Sequence, residues 1–267
     1  LSAQPSIQAT PQRLIHLEGG INFRDIGGYR AGTHQVRWGK VFRTGVLCYL
    51  TPNDEDTLRA LGVRAICDLR RADEREREPT RWPDPTARAR TWEDGPSMPT
   101  IRAFAAQRPP TPAGMRDAMI DLYRALPSWM GPRIRGFLEC IADNQTPVVV
   151  HCAAGKDRTG IAVGVLLSIL GVDRSDVLAD YLLTNDVGNF ERFVERRTTH
   201  LGLADAHSPL LSMAPELRAV LFAADSDYLE AALDQIGRDY GNVENYLRIA
   251  AQIESQTIGK IQQALLT

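Results

Sequence analysis

Ten consecutive residues hold the chemistry this chain offers: His151-Cys152-Ala153-Ala154-Gly155-Lys156-Asp157-Arg158-Thr159-Gly160. A thiol lies six positions before an arginine, with small residues between them. A thiolate attacking phosphorus meets repulsion from the surrounding oxygens. Loop amides and the planar fork of Arg158 can neutralise it, two oxygens at a time. Electrostatic preorganisation of this kind is usually the largest catalytic contribution. A general acid must then protonate the leaving oxygen, and water must hydrolyse the cysteinyl-phosphate. Thr159 stands where its hydroxyl can donate to the departing sulfur, and His151 is expected to order the loop by hydrogen bonding. A nucleotide-binding Walker loop is excluded, because its required Gly and Ser/Thr positions hold Val150 and Asp157. The Gly-Lys-Asp-Arg-Thr-Gly ending also fits a sulfurtransferase loop poorly.

The flanking segments are those such a loop needs. Val148 to Val150 is a β-branched run that suits a buried strand, and Ile161 to Leu170 is an apolar run that suits a buried helix. Strand, loop and helix together turn backbone N–H groups and the positive helix end into one concavity. The same dipoles that hold an oxyanion favour a thiolate.

Around this centre the sequence reads as α/β. Short strand patterns lie early: the Gly-bracketed segment around Arg24-Asp25, Val36 to Arg43, Val63 to Asp68, and Ala87 to Trp92. Thr51-Pro52 and Thr111-Pro112 open helices by N-cap logic, and Pro132 is expected to start a further one. The region from Arg71 to Glu78 reads as a solvated charged helix or loop. After the loop helix, Asp173 to about Asn185 and the spans 189–197, 214–223, 226–237 and 242–265 read as helical. Thr198 to Met213 is irregular. Strands early and helices late predict one domain with an enlarged helical half.

Composition narrows the partners. The net charge of −2 gives no overall attraction to nucleic acid or anionic membrane, so phosphate affinity must be local. No apolar run approaches ~20 residues, so no transmembrane segment is expected. Cys48, Cys67, Cys140 and Cys152 lack metal-ligand spacing; no metal or other cofactor is expected, and the first three read as reduced, buried thiols. Residues 1–17 read as a flexible leader. The chain starts at Leu1 rather than Met, a start that looks trimmed, and it is compatible with a cytoplasmic or a secreted protein.

His151 to Gly160 resembles the signature of the cysteine-dependent protein tyrosine phosphatase superfamily. With Lys156 and Asp157 inside the loop, it is similar to the bacterial tyrosine phosphatases of the PtpB type. Asn22-Phe23-Arg24-Asp25, Asp68-Leu69-Arg70, Asp180-Tyr181-Leu182 with Asn185-Asp186, and Tyr240-Gly241 with Tyr246-Leu247 agree with this. The resemblance spans roughly residues 18–250. It implies a tyrosine phosphatase-like fold: a central, mostly parallel sheet flanked by helices, with a helical lid within 186–225 and one catalytic domain over 18–267. It implies hydrolysis of phosphomonoesters, foremost phosphotyrosine on proteins with dual specificity. It also moves Arg24-Asp25 from a surface pair to a structural network near the site. A phosphoinositide or inositol-phosphate phosphatase is the second reading, and a silent phosphate-binding module the third. A monomer is expected.

The resemblance implies two general-acid candidates, Asp157 first and Asp68 second. Asp157 lies within the cradle, and Asp68 ends a strand, where an ion pair with a neighbouring arginine is the plainer reading. Trp82-Pro83-Asp84 imitates the acid loop of other tyrosine phosphatases but lies too far upstream, and Asp94 has only its place in the chain order in its favour. The expected site is therefore Cys152, Arg158, Asp157, Asp68 and Thr159, with His151, Ala153, Ala154, Gly155, Lys156 and Gly160 forming the phosphate loop. By the same resemblance Lys156 points to a highly anionic substrate. Arg70, Arg71, Arg192, Arg196 and Arg197 are then candidates to extend the basic surface, although each also reads as an ordinary exposed residue.

Overall fold

The computed structural model describes residues 13–93, 98–202 and 212–267. Its strands are β1 (Arg24–Asp25), β2 (Arg30–Ala31), β3 (His34–Gln35), β4 (Val41–Thr44), β5 (Ala65–Asp68), β6 (Arg88–Arg90) and β7 (Val148–His151). Between and after them run α1 (Pro52–Arg59), α2 (Ala72–Arg77), α3 (Ile101–Ala105), α4 (Pro112–Ala142), α5 (Asp157–Ile169) and α6 (Arg174–Leu182). The remainder is helical: α7 (Thr184–Val187), α8 (Phe190–His200), α9 (Pro215–Phe222), α10 (Ser226–Tyr240), α11 (Val243–Ile249) and α12 (Ser255–Leu265). The fold is the expected mixed α/β arrangement.

Five strands form one sheet in the order β1-β4-β7-β5-β6, in which only β1 is antiparallel. The all-valine run of β7 takes the central place because both faces of that strand are covered, and every residue of it is buried. Pairing sets Thr44 and Asp68 directly beside His151. The carboxyl ends of three parallel strands therefore lie abreast, where open sheets bind ligands. α5 starts just beyond them and is buried almost all round, as the mainly apolar run from Ile161 requires.

Several boundaries differ from the sequence reading. No second helix begins at Pro132; α4 continues through Pro127 and Pro132. Each internal proline costs about 3 kcal/mol, and each large apolar side chain fully buried returns about 1.5–3 kcal/mol. Met130, Ile134, Phe137, Leu138 and Ile141 are all fully buried on this helix, so packing outweighs the local penalty. The strand expected over Val36 to Arg43 starts only at Val41, because the chain turns at Gly39, whose φ is +69° and whose amide donates to Asp25 Oδ2 at 2.6 Å. The span 242–265 breaks between α11 and α12, where Gln252 has a φ of +54°. The Ala250 carbonyl just before that break lies where a Cβ on Gly131 would sit.

Of the leader expected over 1–17, residues 1–12 lie outside the described residues. Arg13 stacks over the Tyr29 ring at 4.1 Å, and the Ile15 amide donates to Phe23 O. The irregular stretch 198–213 begins within α8, and its residues 203–211 are outside the described ones. All four cysteines are free and buried. Among the described residues no helix is long and apolar enough to cross a membrane.

Candidate active site

Cys152 follows the last residue of β7 and is buried at the floor of the loop. The loop's carbonyls are drawn outward. Ala153 O accepts from Val46 N at 2.8 Å, and Gly155 O accepts from Asn22 Nδ2 and Arg43 Nη2, each at 2.9 Å. Lys156 O takes the first helical bond, from Gly160 N at 2.7 Å. Among the described residues the amides of Ala153 to Asp157 have no protein acceptor, which leaves them for an anion. Gly155 permits this turn. Its φ is +68°, and a Cβ there would lie 2.5 Å from the Thr44 carbonyl carbon and oxygen.

The loop is braced from behind by a buried charge network. Asp180 accepts from Arg24 Nε at 3.3 Å and from Arg43 Nη1, while Arg24 also reaches Asn22 and the Asp180 carbonyl. Burial opposes ionisation of Asp180, but the two guanidiniums outweigh it and hold the carboxyl at about 2. Burial and then the Arg43 charge bring Arg24 down to about 10. Arg24 thus belongs to a network adjoining the loop, and Asp25 accepts the amides of Gly27 and Gly39 in the neighbouring turn.

Arg158 is held by a residue that sequence reasoning passed over. Its two Nη atoms donate to the Glu74 carboxylate at 2.7 and 2.8 Å. Glu74 belongs to the run expected to be solvated. Glu74 and Glu78 are instead buried, because each meets a guanidinium, Arg158 for the first and Arg197 (2.9 Å) for the second. Burial alone would raise the Glu74 carboxyl; the Arg158 charge and hydrogen bonds override it and hold it at about 2. The available signal was the position of Glu74 as the third residue of α2, where it also caps the Arg71 amide at 3.0 Å.

The two acid candidates have different surroundings. Asp68 makes a two-toothed pair with Arg70 (2.8 and 2.7 Å), accepts from Thr80 Oγ1 at 2.9 Å, and lies 3.6 Å from His151 Nε2. Burial works against its charge, yet His151 and Arg70 hold the carboxyl well below the usual carboxylate range. Asp157 opens α5 and is partly exposed; its Oδ1 accepts from the Tyr123 hydroxyl at 2.8 Å. Asp84 is partly exposed and turned onto Thr86, and Asp94 lies outside the described residues. His151 is fully buried, its Nδ1 3.2 Å from Cys152 O and its Nε2 3.4 Å from Thr80 Oγ1; burial pushes its pKa down. The Thr159 hydroxyl is buried, with no hydrogen-bond partner among the described residues.

Lys156 does not enter the concavity. It is buried, and its Nζ donates to Leu221 O at 2.5 Å and Ala223 O at 3.0 Å, at the carboxyl end of α9. A lysine there meets the unpaired carbonyls and the negative end of the helix. Arg70 and Arg71 are paired with Asp68 and Asp73. Arg192 and Arg196 line a cavity of about 460 Å³ beside α8 that contains no residue of the loop. Asp157 and Arg158, at the loop's helical end, line a smaller cleft of about 230 Å³ whose apolar walls are Met98, Ile101, Leu122 and Leu126. Ala154 packs against a cluster that includes Phe190, Phe193 and Val194 of α8, so that helix covers the other flank.

Residues 15–267 match the profile described as the tyrosine phosphatase family. A Cupriavidus necator protein named as a tyrosine-protein phosphatase is 31% identical over 87% of this chain and 82% of its own length. The triple specificity protein phosphatase PtpB of Mycobacterium tuberculosis is 30% identical over 94% of this chain and 98% of its own. A Nostoc commune tyrosine-protein phosphatase is 34% identical over 53% of this chain and 47% of its own.

Proposed function

Because the chain belongs to the tyrosine phosphatase family and is a phosphatase acting on phosphorylated substrates, we propose that it hydrolyses phosphotyrosine through a cysteinyl-phosphate on Cys152. The observation that carries this reading is the cleft that joins Asp157 and Arg158 to apolar walls from Met98, Ile101, Leu122 and Leu126. A phosphorylated ring fits such a cleft: its phosphate lies toward Arg158, and its face lies on apolar side chains.

The Cys152 thiolate attacks phosphorus, an S–P bond forms, and the bond to the phenolic oxygen breaks. Asp157 gives its proton to that oxygen. Water then attacks the phosphorus, its proton passes to the Asp157 carboxylate, and the S–P bond breaks to release inorganic phosphate. The unpartnered Thr159 hydroxyl serves the departing sulfur. Arg158 and the amides from Ala153 to Lys156 hold the oxygens throughout, and His151 and Gly160 shape the loop. Asp157 is preferred as the acid because it opens on the cleft. Asp68, locked as a carboxylate by Arg70, has no proton to give near neutral pH. Residues 18–267 act as one catalytic unit in this reading, with α8 and α9 as its cover.

The name of the M. tuberculosis relative supports testing a broader substrate range. A phosphoinositide reading is weakened by the engagement of Lys156 with α9. The deciding experiment pairs Cys152→Ser with a panel of phosphotyrosine, phosphoserine and phosphoinositide substrates. The variant should lose turnover of a phosphotyrosine peptide and keep phosphate binding; turnover that survives the substitution overturns the mechanism.

A further inference from the structure

Asp157 is not left to find its own orientation. Tyr123, from the middle of α4, donates its hydroxyl to Asp157 Oδ1 at 2.8 Å, and the Tyr181 hydroxyl of α6 lies 2.6 Å from the Tyr123 oxygen. Lys156 Nζ is 3.4 Å from the same Oδ1. Both phenols are buried. The Tyr123 ring meets Tyr181 edge-on, with centroids 6.2 Å apart, and the tilted ring of Tyr228 of α10 at 5.6 Å. Tyr181 in turn lies against Gly160, where a Cβ would sit 2.9 Å from its ring. Since the one Tyr123 proton goes to Asp157, the Tyr181 proton must point to the Tyr123 oxygen, which polarises the chain toward the carboxylate.

We propose that Tyr123 is a positioning residue for proton transfer: it fixes Oδ1 of Asp157, leaves Oδ2 as the proton-carrying oxygen, and takes its own direction from Tyr181. This rests on Asp157 being the general acid. Burial raises both phenols well above their ordinary range, so they remain donors rather than titrating. The charged and titratable groups facing Asp157 are Lys156 and Arg158 beside it, Tyr123 from α4, Tyr181 from α6, Tyr228 from α10, and Arg71 across the cleft. A hydroxyl donating to a carboxylate oxygen favours the ionised form over the protonated one.

The test compares wild type, Tyr123→Phe, Tyr181→Phe, Asp157→Asn and the Tyr123→Phe/Asp157→Asn double variant. Each is assayed on phenyl phosphate, whose leaving group needs an acid, and on para-nitrophenyl phosphate, whose leaving group hardly does. For Tyr123→Phe, kcat on phenyl phosphate should fall about tenfold and on the activated ester less than about threefold, a part of the 10²–10⁴-fold that a positioned acid supplies. The basic limb of kcat/KM should move to higher pH, Tyr181→Phe should move it the same way by less, and Tyr123→Phe should cost nothing further in the Asp157→Asn background. Equal losses on both esters with an unmoved limb, while Asp157→Asn abolishes that limb, overturn the role of Tyr123 and leave Asp157 as the acid. A basic limb that survives Asp157→Asn overturns both.

Discussion

Replacing Glu74 by Gln measures how much of the site's order rests on one buried ion pair. The side chain keeps its shape and can still cap the Arg71 amide, but the charge facing Arg158 is gone. The Glu74 carboxyl is held at about 2 against an ordinary 4.5. That difference corresponds to about 3 kcal/mol of stability near neutral pH. Because the folded value is the depressed one, this contribution is complete above about pH 4.5 and is lost as the pH falls through about 2. At pH 3 about 1.5 kcal/mol remains. Asp68 and Asp180 are also held low, but they are unchanged in the variant and cancel in the difference. Urea unfolding of both proteins at pH 7 and pH 3, followed by fluorescence and circular dichroism together, should therefore give a penalty of about 3 kcal/mol that roughly halves in acid. In a thermal scan at pH 7 the same penalty appears as a drop of about 6–12 °C. An equal penalty at the two pH values refutes the reasoning, since it would mark Glu74 as packing; so does one below about 1 kcal/mol at pH 7.

Other perturbations separate fold from chemistry. Gly155→Ala combines a positive φ with a backbone clash and should cost at least about 2 kcal/mol and abolish turnover, measured by urea unfolding and a steady-state assay. Thr159→Val removes a hydroxyl that has no partner among the described residues. Stability should therefore change by less than about 0.5 kcal/mol, while rapid-quench kinetics should show the phosphoenzyme accumulating. Lys156→Met frees two carbonyls at the end of α9 and should speed amide exchange over 215–223 with little effect on β7, read by mass spectrometry.

What could be read in advance was local. The strand, loop and helix around Cys152 are adjacent in sequence, so spacing alone predicted their arrangement, and the valine run of β7 was legible as a buried strand. The long α4 was misjudged because its prolines speak locally, while the packing that overrides them comes from elements elsewhere in the chain. The pairing of Glu74 with Arg158 was hidden for the same reason: the two stand 84 positions apart, and the place of Glu74 in the first turn of its helix marks a cap without naming Arg158 as its partner. The direction of Lys156 was equally unreadable, because its partners are backbone carbonyls, which every residue possesses.

The outward-drawn carbonyls of the loop have a thermodynamic consequence. Their holders and braces include Asn22, Arg43 and Asp180, and the Arg24–Asp180 contact alone closes 156 positions of chain. No short fragment contains the whole anion cradle, so a ligand that recognises the cradle recognises only the assembled molecule. Binding and global stability are then linked by mass action: an oxyanion at a hundred times its dissociation constant should add about 2.7 kcal/mol. Phosphate, the reaction product, thereby becomes a stabiliser of the whole chain, and the midpoint of unfolding becomes a titration of the site.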